Sequence, residues 1–355
     1  MSNFDNLKQY ILPSDLLLDM LNIYKLIGKN SIYEESLKKN IKFIENSALE
    51  RDVYFLSLLL DLDITDNRLR LIIMKNSSPR NNEERVVTGL KNVLTQIRTS
   101  AKSYDFNSSD LLSYINTIYG AKYAKFSTSM VKGDRKKRIP DQSLRLKINN
   151  VLDDYHVYFE KELYEKIFLS LMAYVELINI NPFTNGNEIA SLLALYYMIL
   201  RCEVDCFRYN SFFETLYNNY NNFRREQVAA SMNYREGFVQ IFGLARFIYD
   251  LIAQNYAKLE DIIKEYTYEE SVNKSDNVEN TIYQLPNIFT KDDIRSAHPF
   301  VSEATINRIL VKLRDEEYIT PLGKGRSAKW IKTQKNEINY NQPIRFNPED
   351  DDLPF

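Results

Sequence analysis

The stretch from Asn179 to Leu200, NINPFTNGNEIASLLALYYMIL, has the residue types and order of a phosphate-handling site. Apolar helical sequence enters a Gly/Asn turn and leaves it as a second apolar helix. Such a turn leaves backbone N–H groups unpaired at the positive end of a helix dipole, and both point at one anion. Gly186 and Asn187 would form that anion loop. The chemistry stops there. No side chain of the turn is a base at neutral pH, because Asn181 and Asn185 carry neutral amides. Glu188 opens the next helix. A carboxylate in a first helical turn gains roughly 0.3–1 kcal/mol from the dipole, and so supplies internally the charge that a phosphate would bring.

The other reactive side chains offer less. Cys202 and Cys206 are the only cysteines and have no histidine near them, which leaves a zinc site without ligands and excludes a disulfide framework. His156, beside Asp153 and Asp154, reads as a surface residue, and His298 in AHPFVSEA reads as part of a structural turn. The basic run DRKKR (Asp134 to Arg138) reads as a solvated loop, and the tyrosines of SFFETLYNNYNNF as core and rim residues. Neither metal nor cofactor is expected.

These residues need rigid elements to place them. Nine glycines and ten prolines in 355 residues, with apolar positions at helical spacing in KIFLSLMAYVELI, predict a mainly α body over the first 260 residues. One short β-hairpin is expected between Ala121 and Pro140, where alternation around Phe126, Thr128 and Met130 ends in Lys-Gly-Asp. Around Tyr266 to Asn280 the chain turns polar and loses its period, so a linker is expected over 263–285. From Pro286 to Lys335 comes a compact unit with a helix capped by Thr290, a helix capped by Ser302, and two strands around a Gly-rich turn. Residues 336–355 read as a disordered acidic tail. A net charge of -2 and a pI of about 6.0 exclude a general nucleic-acid binder and confine any such role to a local patch. The opening MSNFDNLKQY lacks the regions of a secretory signal, and no apolar run approaches the ~20 residues of a membrane span. A cytoplasmic protein without membrane contact is expected.

NPFTNGNEIASL resembles the Fic family motif H-P-F-x-[D/E/N]-G-N-G-R-x-x-R, with Pro182, Phe183, Gly186 and Asn187 in register. The resemblance extends to LLLDMLNIYKLIGKNSIYEESLKKNIKFIENSALERDVYF as the family's N-terminal helical region and to AKFSTSMV as its flap hairpin. RVVTGLKNVL is similar to the helix that normally reads E-V-x-N-Y. The resemblance implies an N-terminal helical region over 1–100 and a Fic core over 101–262, with the motif at 181–192. It also implies an activity, transfer of AMP from ATP with magnesium to a protein hydroxyl. The departures from the motif argue against that activity. The family's base, a histidine, is Asn181 here, and an amide forfeits the ~10²–10⁴-fold typical of acid–base catalysis. Asn185 replaces the magnesium-holding acid, Glu188 the last glycine, and Ile189 and Leu192 the two phosphate-gripping arginines. In relatives an inhibitory glutamate, here Glu50, pairs with the final arginine. With Leu192 in that place, Glu50 is expected to be a solvated or locally paired surface residue.

The unit over 286–335 resembles a winged helix-turn-helix, which implies duplex DNA contacts through Arg308 and Lys312 on its second helix and Lys324, Arg326 and Lys329 on its wing. Protein docking and homodimer formation are open alternatives for such a module. The tip, Asp350, Asp351, Asp352, Leu353, Pro354 and Phe355, resembles the acidic tip of bacterial single-stranded DNA-binding proteins, which recruits replication and repair proteins. The combined expectation is a catalytically degenerate Fic-fold adaptor or regulator. The alternatives are an active adenylyltransferase with an atypical motif, requiring ATP and magnesium, and a transcriptional regulator using the Fic body as scaffold or sensor.

Overall fold

Apolar residues at helical spacing and a scarcity of backbone breakers build the first part of the chain from helices. The computed structural model describes residues 3–127, 142–271, 274–298, 301–323 and 329–333. The chain divides into two units, Met1–Ile263 and Lys264–Phe355. In the first, a 3-10 turn (Asn3–Gln9) leads to α1 (Ser14–Ile27), α2 (Asn30–Leu37), α3 (Ile41–Leu59), α4 (Asp66–Lys75), α5 (Asn82–Ser100) and α6 (Ser108–Tyr119). Then follow α7 (Gln142–Glu160), α8 (Lys166–Ile180), α9 (Asn187–Arg201), α10 (Cys206–Tyr209), α11 (Phe212–Asn218), α12 (Tyr220–Ser231) and α13 (Ile241–Ser271), whose residues from 264 on fall in the second unit. Side chains define the starts. Asn81 accepts from the Glu84 N–H, Asn107 and Asp110 close a capping box, and Ser211 accepts from the Glu214 N–H. Each such cap contributes about 1 kcal/mol.

Helices α8 and α9 form the centre. Twelve of the 15 residues of each are buried, as expected of helices that are apolar on every face. Around them α5 and α6 approach closely at Gly89, where a Cβ would stand 2.6 Å from the Ile118 Cα. Asp52 of α3 is fully buried and accepts hydrogen bonds from Ser211 Oγ (2.8 Å), Tyr196 OH (3.0 Å) and the Phe213 N–H (3.1 Å). Arg98 of α5 adds an ion pair at 3.3 Å. One carboxylate thus joins α3, α5, α9 and α11.

In the second unit, α14 (Lys274–Gln284) is followed by β1 (Ile288–Phe289), α15 (Lys291–Ala297), α16 (Glu303–Asp315), β2 (Ile319–Pro321) and β3 (Trp330–Lys332). The strands form an antiparallel sheet in the order β1-β3-β2, with Phe289 opposite Trp330 and Thr320 opposite Ile331. Thr290 and Ser302 cap the two helices as the sequence indicated. The linker expected over 263–285 is corrected. Helix α14 lies within it, and Val278 and Ile282 are fully buried in the second unit's core with Phe289, Ile294, Leu310 and Leu313. Two apolar residues four apart give a helix one buried stripe, a signal easily lost in polar sequence. The expected hairpin falls mostly outside the described residues, as does the tail. Of its described part, residues 121–127, Phe126 bridges to Phe183. Among the described residues no helix is long and apolar enough to cross a membrane.

Trp330 is the only tryptophan and is buried in the second unit. Its emission therefore reports that unit alone. The smaller core should unfold first, so the tryptophan transition in urea is expected at a lower midpoint than the far-UV dichroism transition. Leu310→Ala should lower the tryptophan midpoint by the equivalent of about 2–5 kcal/mol and leave the main dichroism transition in place. Coincident transitions would contradict the division.

Candidate functional site

The motif loop begins where α8 ends. Asn181 closes that helix in the left-handed region (φ 48°, ψ 62°), and its Nδ2 donates to the Ile178 carbonyl at 3.0 Å. Asparagine is among the few non-glycine residues at home in this conformation. The loop is then fastened to the segment before it in the chain. Ser127 N–H donates to the Pro182 carbonyl (2.8 Å), Thr184 N–H to the Lys125 carbonyl (2.9 Å), and Asn185 Nδ2 to the Tyr123 carbonyl (3.0 Å). Gly186 has φ 74°, and a Cβ on it would meet the Ile115 Cγ2 at 2.7 Å, so both conformation and space require glycine. Asn187 closes the turn on itself. Its Oδ1 accepts from the Phe183 N–H at 2.9 Å and its Nδ2 donates to the Phe183 carbonyl at 2.7 Å.

Beside this turn lies a cleft of about 190 Å³, lined among others by Asn181, Glu188, Leu192, Tyr220, Arg224 and Gln227. Glu188 is exposed in the first turn of α9, accepts from Tyr220 OH at 2.9 Å and faces the Arg224 guanidinium at 3.6 Å. Arg224 donates to Gln227 Oε1 at 2.6 Å, and Gln227 Nε2 donates to Tyr174 OH at 2.8 Å. Burial, and then the hydrogen bond to Glu188, push the Tyr220 hydroxyl up to about 12, so it stays a donor at neutral pH. Ile189 and Leu192 are 2% and 4% exposed. The two positions that would carry phosphate-gripping cations therefore belong to the core.

The Asn185 side chain has at most a neutral amide oxygen to present to a metal, its Nδ2 being engaged with the Tyr123 carbonyl. The cleft is smaller than the ~300–1,000 Å³ of sites that bury small ligands. Among the described residues no three His, Cys, Asp or Glu side chains form a metal-holding group. Helix α12 adds a cation that the motif positions do not show, Arg224, which faces Glu188. Tyr220, Arg224 and Gln227 recur at i, i+4 and i+7 in YNNFRREQ. That spacing marks one helix face and was the available signal for them.

Two other positions, His156 and Lys312, differ from expectation. Glu50, expected to be solvated or locally paired, is half-buried on α3. Burial raises its carboxyl pKa, opposed by the Lys91 and Lys75 ammonium groups, and it is not among the residues lining the cleft. His156 is not a free surface residue. Its ring bonds the Phe106 carbonyl at 2.8 Å and lies 3.4 Å from Asp105, and burial lowers its pKa. In the second unit Arg308 and Lys329 are exposed, but Lys312 pairs with Glu279 at 2.8 Å. Arg295 and Arg314 likewise face Glu303 and Asp315. Lys324 and Arg326, and the tip from Asp350 to Phe355, lie outside the described residues.

Asn187→Ala removes both bonds that close the turn and leaves the Phe183 backbone groups unpaired. A loss of about 1–3 kcal/mol is expected, read as a lower urea midpoint in far-UV dichroism. An unchanged midpoint would show that the turn holds its shape without that amide.

No protein-family profile matches the chain, and no curated protein matches it. Solved structures do. A Fic family protein from Desulfovibrio desulfuricans G20 is similar over 92% of this chain and 98% of its own, with TM-score 0.52 and 13% identity. A Fic domain containing signaling protein from Bacteroides thetaiotaomicron VPI-5482 is similar over 69% of this chain and 98% of its own, with TM-score 0.50 and 16% identity. At such identities the likeness speaks for backbone architecture and not for chemistry. The chain has a mainly α, Fic-type fold.

Proposed function

We propose that the chain is a catalytically silent Fic-family protein that works as an adaptor or regulator. The observation that carries this reading is the state of the motif loop, whose functional positions are all committed to the protein itself. Asn181, at the base position, caps α8; Ile189 and Leu192, at the arginine positions, are buried; Glu188 is held by Tyr220 and Arg224. Magnitudes rank these effects. An exposed pair such as Glu188–Arg224 is worth ~0–1 kcal/mol, whereas each charge-assisted hydrogen bond lost with an arginine costs ~1.5–3 kcal/mol. The missing arginines therefore matter more than the added carboxylate.

Incubation with labelled ATP and magnesium, followed by intact mass analysis, is expected to show no AMP on the chain or on added proteins. Asn181→His alone, Glu188→Gly alone and the two combined should stay inactive, because none returns an arginine. A stoichiometric AMP adduct on the unaltered chain would overturn the reading.

A second reading, duplex DNA binding by the C-terminal unit, draws support from its order of helix, strand, two helices and hairpin, which is that of a winged helix, and from exposed Arg308 and Lys329. The pairing of Lys312, Arg295 and Arg314 with carboxylates weakens it. If DNA is the ligand, affinity of the full chain for duplexes falls steeply with salt, and Arg308→Ala reduces the salt slope by about one. Absence of salt-dependent binding leaves the unit as a protein-docking module.

A further inference from the structure

The His156 side chain on α7 is 12% exposed, and its ring stands where α7, the end of α9 and the segment between α5 and α6 meet. Its partners fix its proton. Nε2 lies 2.8 Å from the Phe106 carbonyl, which can only accept, so Nε2 carries a hydrogen. Nδ1 lies 3.2 Å from Arg201 Nη1, a guanidinium nitrogen that can only donate, so Nδ1 presents a lone pair. The ring is therefore neutral, with its single N–H on Nε2. Asp105 Oδ1 stands 3.4 Å from Nδ1 with no hydrogen between them, and accepts from Arg201 Nη1 instead. The Arg201 side chain, 8% exposed, also donates to Glu160 at 2.7 Å and lies over the Phe159 ring at 4.7 Å. Phe106 and Tyr155 stand edge-on to the imidazole at 5.6 and 5.1 Å.

We propose that this cluster is a pH-sensitive lock, closed while His156 is neutral and opened by a proton on Nδ1. A second proton has only Nδ1 to occupy, and there it meets the Arg201 N–H that Nδ1 accepts. The hydrogen bond between α7 and α9 is then lost, and two cations compete for the half-exposed Asp105. The charges acting on the ring are Asp105 and Arg201 from the neighbouring elements and Asp153 from α7 itself. Burial is the largest influence and, with Arg201, holds the imidazole below its ordinary pKa of 6.5; the Phe106 carbonyl, Asp105 and Asp153 oppose it. The unfolded chain therefore takes the proton first. The lock contributes fully above the unfolded value, and its contribution is lost as pH falls through the folded one.

Nuclear magnetic resonance of the imidazole nitrogens in the full chain tests this. The chain has two histidines, so His298→Gln leaves one ring to observe. At neutral pH His156 is expected with Nε2 protonated and Nδ1 bare, and its titration should fall below 6.5. Urea midpoints read by far-UV dichroism give the second measurement. Stability should drop from neutral to mildly acidic pH, and His156→Gln, which has no ring to titrate, should flatten that drop. One proton refused by the fold changes the folding constant by up to about tenfold per pH unit. A ring protonated on Nδ1 at neutral pH overturns the lock, as does a titration above 6.5, which would mean that Asp105 welcomes the imidazolium. Equal pH slopes for the wild-type chain and His156→Gln overturn it too, by showing that the proton enters without loss.

Discussion

The first unit is organised around one buried negative charge. Asp52 has no access to solvent, and four donors from three other elements and the turn before α11 converge on its two oxygens. Burial pushes its pKa up, while the Arg98 charge and the hydrogen bonds pull it down. Arg98 also donates to the Phe207 carbonyl at 2.9 Å, which fixes the entry to α10. Each donor left unpaired by loss of the carboxylate would cost ~1–3 kcal/mol. That stake is large against the ~5–15 kcal/mol that hold a domain folded. Because Tyr196 is one of the four, Asp52 fixes α9 about two turns from Glu188 in its first turn.

What α9 presents at its start follows from that anchoring. The helix is buried on nearly every side, so its first turn and the loop before it are the part that meets solvent. In an anion-binding loop those first N–H groups wait for a ligand. Here the surrounding side chains satisfy one another. Asn187 ties the turn, Tyr220 and Arg224 hold Glu188, and Gln227 links Arg224 to Tyr174. These polar groups engage one another around the start of α9.

Much of this was legible in the sequence. Helices with strong apolar periods, the caps at Thr290 and Ser302, and the Gly186–Asn187 turn could be read directly, because each is set by residues within a few positions of one another. Misreadings arose where partners are remote. His156 looked like a surface residue because Phe106 and Arg201, which enclose it, lie 50 and 45 positions away. Helix α14 was hidden because only Val278 and Ile282 mark its buried side. Arg224 went unnoticed because a charged residue on a polar helix face gives no sign of what stands opposite.

The central proposal is that the motif cleft does not accept a nucleotide. Isothermal calorimetry of the full chain with magnesium and ATP measures this without requiring any turnover. The account predicts no saturable heat at concentrations that would reveal a Kd of about 1 mM, equivalent to about -4.1 kcal/mol. Saturable binding in the micromolar range, weakened by Arg224→Ala, would contradict it and return the cleft to use as a nucleotide site.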